Sequence, residues 1–263
     1  MTRPAGVRAV WVPIVAMVLA EIGYPLVGGD VRAGLVVLTV LLGYAASVGH
    51  AMTRGPAVAA TLVAVTTGGG LGVELLGVAT GVPFGGYAYT GALGPRLAGV
   101  PLVIALAWTW MAWPAWLAAT WLTARPAARV VLAGAGLAGW DLFLDPQMVT
   151  EGYWHWADPT PALPGVAGIP LSNYLGWYLV AVTMMALLAR AMPAEAPPRP
   201  TSSARPDDLP MLVMYLWTYL SSTMALAVFL GLPAAAGWGA LGMGAVAVPL
   251  AVRLCPRPCR AGR

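Results

Sequence analysis

Residues 129–145 read RVVLAGAGLAGWDLFLD, an apolar run that carries two aspartates, Asp141 and Asp145, close to its end. A helix needs about 17–25 mostly apolar residues to cross the hydrocarbon of a bilayer, and this run is long enough. Comparable runs fall at 10–28, 33–50, 57–80, 99–122, 167–190, 209–231 and 234–252. With 129–145 they predict an all-α fold, a polytopic transmembrane bundle of about eight helices. Composition agrees: 59% of the 263 residues are hydrophobic, only 9% are charged, and mean hydropathy is +0.77. A soluble domain carries roughly a quarter charged residues. The breaks between the runs are rich in Gly, Pro and charge, as in Gly28-Gly29-Asp30, Arg54-Gly55-Pro56 and Arg125-Pro126.

All 14 basic residues are arginines, which makes the net charge +4. They are scattered between apolar segments rather than clustered with exposed aromatics, so nucleic acid is not an expected partner and membrane lipid is. Basic loops stay in the cytoplasm. With the N-terminus inside, Arg3, Arg8, Arg54, Arg125, Arg129, Arg190, Arg199, Arg205, Arg253, Arg257, Arg260 and Arg263 fall inside, and only Arg32 and Arg96 fall outside. The asymmetry predicts both termini in the cytoplasm, a multi-pass protein of the cell membrane, and one transmembrane domain over 1–263 with a polar cytoplasmic linker at 193–210. The first run follows Arg3 and Arg8 as a signal peptide would. It contains Glu21 and lacks a clear cleavage site, so a retained helix is expected. Cys255 and Cys259 could form a thiol pair or half a metal site, or belong to an incidental tail.

Four carboxylates fall inside predicted spans: Glu21, Glu74, Asp141 and Asp145. A charged group at the bilayer centre costs about 2.5–3.5 kcal/mol on insertion scales, so such residues face the protein interior and mark function. The first, third and fifth helices all run outward, and the acids sit late in each. They therefore share a depth towards the outer face. Asp141 and Asp145 are one helical turn apart on one face. In an apolar pocket such a pair is expected to hold one proton between them, an acid beside a base. Pro146 is expected to end that helix. Pro25 removes the amide that would bond the Glu21 carbonyl. The third helix carries Gly68, Gly70, Gly72, Gly77 and Gly81, a small-residue face for close packing or for a long rigid ligand.

The outer loops 81–99 and 146–168 hold Tyr87, Tyr89, Tyr153, Trp154, His155 and Trp156. They are either an interfacial aromatic belt or a lid over the acids. The DxxxD spacing is shared with magnesium-diphosphate sites of membrane prenyltransferases, but those need a second acidic motif and phosphate-binding basic residues, and neither is present. No metal cluster, phosphate loop or dinucleotide fingerprint occurs, so no cofactor and no metal are expected.

Several ordered motifs resemble one family. They are Phe84-Gly-Gly-Tyr87-Ala-Tyr89-Thr with Leu93-Gly-Pro, Gly99-Val-Pro-Leu with Trp108, Asp141-x3-Asp145-Pro146, Gly152-Tyr-Trp-His-Trp156, and Gly168-Ile-Pro-Leu-Ser-Asn173-Tyr-Leu-Gly-Trp177. Together, over roughly 70–180, they resemble the bacterial and archaeal membrane carotenoid hydratases, the group of carotenoid 1,2-hydratase and bisanhydrobacterioruberin hydratase. The resemblance implies a hydro-lyase that adds water across the terminal C1–C2 double bond of an acyclic carotenoid, of lycopene-like or C50 type, with other carotenoid enzymes as candidate partners. Alkene hydration needs an acid, a tolerant site for a tertiary cation and a base for water. The expected catalytic residues are Asp141, Asp145 and Glu74, with Tyr87, Trp108, His155, Asn173 and Glu21 lining the substrate pocket. The competing readings are a carotenoid end-group cyclase, which starts with the same protonation, and a proton-coupled transporter.

Overall fold

The computed structural model describes residues 5–192 and 207–255. Among these, eight helices are long and apolar enough to cross a membrane: α1 (Gly6–Leu26), α2 (Gly29–Met52), α3 (Pro56–Thr80), α4 (Leu102–Leu122), α5 (Pro126–Thr150), α6 (Leu171–Ala191), α7 (Leu209–Phe229) and α8 (Pro233–Leu254). The all-α bundle expected from the apolar runs is the observed architecture. Most of the predicted 193–210 linker, residues 193–206, lies outside the described residues, as does Cys259.

The helix α4 sits at the centre. It is apolar on every side, which is the pattern of a buried helix, and 83% of its apolar window is buried against 28% for α1, α3 and α7. Trp108, Trp110, Trp113 and Trp116 are all interior. At the periphery Val12, Leu19, Leu241 and Val252 stand exposed, the apolar outer surface that lipid requires.

Neighbouring helices approach α5 at its glycines. A Cβ on Gly134 would lie 2.6 Å from the side chain of Val182 on α6, and one on Gly139 would lie 2.6 Å from the backbone nitrogen of Met243 on α8. The second contact is backbone to backbone and has no side chain to yield. Gly139→Ala is therefore expected to cost about 1–3 kcal/mol, read as a melting midpoint several degrees lower for the purified protein in detergent. An unchanged midpoint would contradict the close crossing.

The helix does not end at Pro146 as its sequence suggests: α5 continues to Thr150 with the proline inside. Proline removes only one helical hydrogen bond and the surrounding helices tolerate the gap. The turn beyond it is tied down, with the Thr150 hydroxyl donating to the Pro146 carbonyl at 2.7 Å. In α1 the chain tightens into a 3₁₀ turn at Tyr24–Leu26, where Pro25 stands. Both α3 and α7 contain a π-helical stretch, Val63–Gly68 and Ala225–Phe229.

Two loops meet at one end of the bundle. Strand β1 (Tyr87–Tyr89) lies between α3 and α4, where β2 (Arg96–Leu97) and β3 (Val100–Pro101) form a small hairpin. Strand β4 (Trp154–Trp156) lies between α5 and α6 and pairs antiparallel with β1, placing Tyr87 opposite Trp156, Ala88 opposite His155 and Tyr89 opposite Trp154. At the opposite end Arg54 pairs with Asp208, and Trp121 Nε1 donates to Asp208 Oδ2 at 3.0 Å. That joins α2 and α4 to the start of α7.

Candidate active site

On α3, Gly70, Glu74 and Gly77 recur at spacings of four and three and so share one face. The glycines make room for what Glu74 needs. A Cβ on Gly70 would meet the Trp108 side chain at 2.7 Å, and one on Gly77 would meet the Tyr87 hydroxyl at 2.6 Å. Gly68 and Gly72, the pair expected to pack closely, face no such contact. Glu74 is 2% exposed. Tyr87 and Tyr89 donate their hydroxyls to its Oε2 at 2.6 and 2.8 Å, and Trp108 Nε1 donates to Oε1 at 3.1 Å. Burial first, and then the adjacent Glu74, push the phenols of Tyr87 and Tyr89 well above their ordinary range, so both remain donors.

On α5, Asp141 and Asp145 are both buried. The Asn173 amide at the start of α6 donates to Asp141 Oδ2 at 3.0 Å and also to Asp145 Oδ2. Trp154 Nε1 donates to Asp145 Oδ1 at 3.1 Å. One amide nitrogen thus bridges the two carboxyl groups, and like charges buried this close repel, so the pair is expected to hold one proton between them.

A small cavity opens between the two acid groups, lined among others by Glu74, Asp145, Asn173, Leu144, Trp154 and Trp177. Asp141 stands behind Asp145, off the lining. Trp108 and Trp177 stack at 4.0 Å between ring centres with 11° between planes. The β1–β4 ribbon is the lid. Its alternation turns Tyr87, Tyr89, Trp154 and Trp156 inward, and Trp156 Nε1 fastens it by donating to the Phe84 carbonyl at 2.9 Å. Among the described residues no group of three or more His, Cys, Asp or Glu is arranged to hold a metal ion.

The structure thus brings together Glu74, Asp141, Asp145, Tyr87, Trp108 and Asn173. It separates two other residues from them. His155, at the middle of β4, points to the outer surface and is exposed. Its replacement by alanine is expected to change turnover by less than about twofold, measured as product per unit of membrane protein. Glu21 lies in a different cavity, where Trp217 Nε1 donates to its Oε2 at 2.5 Å. Tyr89, Trp154 and Trp177 complete the site without having been assigned to it from the sequence. The period-two spacing of Tyr87 with Tyr89 and of Trp154 with Trp156 is the signal that they point inward.

Comparison with known proteins adds the family. A profile described as "carotenoid biosynthesis protein" matches residues 34–246. The chain belongs to that family. The matched segment includes every residue of the acid cluster and lid, but not Glu21. The chain is also 35% identical over 113 residues to the bisanhydrobacterioruberin hydratase of Haloarcula japonica, a match that covers 41% of this chain and 37% of that protein's length. No solved structure matches it.

Proposed function

We propose that this chain is a carotenoid hydratase of the cell membrane, which adds water to the terminal C1–C2 double bond of an acyclic carotenoid. The observation that carries the reading is the pair of buried aspartates bridged by the Asn173 amide, one of which faces an aromatic cavity that Glu74 also lines. A carotenoid offers few reactive handles other than its double bonds, and adding water to one of them needs an acid more than anything else. The 35% identity to a bisanhydrobacterioruberin hydratase supports the same chemistry.

In this reading Asp145 donates its proton to the less substituted alkene carbon. Asp141 and Asn173 hold Asp145 in place and share the charge left on it. The tertiary cation at the other carbon lies among indole and phenol faces, which stabilise cations without competing for them as nucleophiles. Glu74, gripped by three donors, directs water onto the cation and accepts the proton that water loses. Return of that proton to Asp145 restores the acid. The sum is alkene plus water giving a tertiary alcohol, with no group consumed.

The test is expression in cells that make lycopene, followed by mass analysis of the pigments. A product heavier by one water is the expected result. An isomer of equal mass would make the chain an end-group cyclase, and no new pigment from lycopene or a longer acyclic carotenoid would remove both.

A further inference from the structure

Across α5 from the acid cluster lies a second cavity, which the hydration scheme does not use. Leu144 lines both cavities. Apolar and aromatic groups make most of the wall of the second one, Trp140 and Phe143 among them, and polar groups interrupt it, including Glu21, Tyr24, Thr39, Gln147 and Ser221. The Glu21 carboxyl accepts from Trp217, and the Ser221 hydroxyl on the same wall donates to the Thr218 carbonyl at 3.4 Å. Tyr24 is only 7% exposed, and its hydroxyl has no hydrogen bond of normal geometry, although Gln147 lies beside it. The indole N–H of Trp110, on the same wall, is also unpaired.

A buried hydroxyl without a partner is costly, so this cavity is built for an occupant that supplies one. A plain hydrocarbon leaves the Tyr24 hydroxyl unanswered. A charged headgroup finds no arginine on the lining. An alcohol carries one acceptor oxygen and one O–H, which match the Tyr24 hydroxyl and the Glu21 carboxyl, and its chain suits the indole and phenyl walls. We propose that the Glu21 cavity is a second ligand site, which takes the hydroxyl-bearing end of an isoprenoid chain. Naming that alcohol as the hydrated end made across Leu144 rests on the hydratase reading; the preference for an alcohol does not.

Photolabelling separates the possibilities. The purified full-length chain in detergent is irradiated with a diazirine analogue of linalool, a tertiary terpene alcohol, and the labelled peptides are identified. Label is expected on the peptides holding Glu21 and Tyr24 or Thr218 to Ala225, and linalool should compete it at least tenfold better than myrcene, its hydrocarbon counterpart, or 1-octanol. Tyr24→Phe removes a hydroxyl that the fold does not use, so the melting midpoint should hold or rise. Linalool should nonetheless compete about fivefold more weakly, the loss of one neutral hydrogen bond. Equal competition by myrcene would make the cavity a plain apolar cleft, and equal competition by 1-octanol would make it a lipid site. Absence of label there, or a Tyr24→Phe variant that competes like the parent, would overturn the proposal as well. If labelling follows the expected pattern while lycopene-making cells yield no hydrated pigment, the hydratase reading fails and the alcohol site stands.

Discussion

In lycopene-producing cells, Asp145→Asn is expected to lower hydrated pigment by roughly 100- to 10,000-fold, the range that a positioned general acid contributes. The replacement is nearly isosteric. Its amide oxygen keeps one of the two donors that hold the native carboxyl, where Trp154 reaches Oδ1 and Asn173 reaches Oδ2, so the protein should still accumulate in the membrane. What it loses is the acidic proton facing the cavity. Asp141→Asn should also abolish product, by a different route: Asp141 does not line the cavity, but it is bound by the same Asn173 amide as Asp145. Full activity in both variants would remove the aspartate pair from the mechanism.

Glu74→Leu is expected to be the most destabilising single change in the site. Three donors converge on this one carboxyl group, and only Tyr87 has another acceptor in reach on α3, the Glu74 backbone carbonyl at 3.4 Å. Leaving a buried donor unpaired costs about 1–3 kcal/mol. Since the losses are not additive, the change as a whole should cost about 3–5 kcal/mol, visible as a large fall in melting midpoint in detergent and in the amount of protein recovered. Glu74→Gln separates stability from chemistry. It keeps one acceptor oxygen, and its amide can donate to a tyrosine hydroxyl, so it should melt near the parent while producing little hydrated pigment. A Leu variant that melts with the parent would mean that the three donors have found other partners.

The fold was legible because the bilayer demands a long apolar helix each time the chain crosses, and runs such as 129–145 and 209–231 announce themselves by length alone. The acids were legible for the complementary reason: a carboxyl group inside such a run is too costly to be incidental. Their partners were harder to see. Nothing near Glu74 in sequence indicates that Trp108 and Tyr87 will reach it, because both approaches depend on glycines of α3 that read equally well as helix-packing residues. His155 was misplaced for want of one fact, that residues 154–156 are extended. Once they pair with 87–89, alternation sends the two tryptophans inward and the histidine outward. Pro146 looked like a helix end because the rule behind that reading comes from water, where a lost hydrogen bond has alternatives; within a bundle the helix is the better choice on both sides of it. Glu21 was grouped with the other acids because it too sits late in an outward-running helix, but helix direction says nothing about position around the bundle, and Glu21 lines a different cavity.

The lid has a consequence for how the protein is made. One of its strands precedes α4 and the other follows α5, so neither half of the chain contains a finished site. A ribosome that has delivered the first four spans has placed Glu74 beside Trp108, but β1 has no strand to pair with. The aspartates enter next, and they wait for the amide that arrives only with α6. Insertion and maturation are thus separate events, as expected where helices enter the bilayer first and find one another afterwards. In the proposed scheme the acid is therefore complete only once α6 has packed against α5.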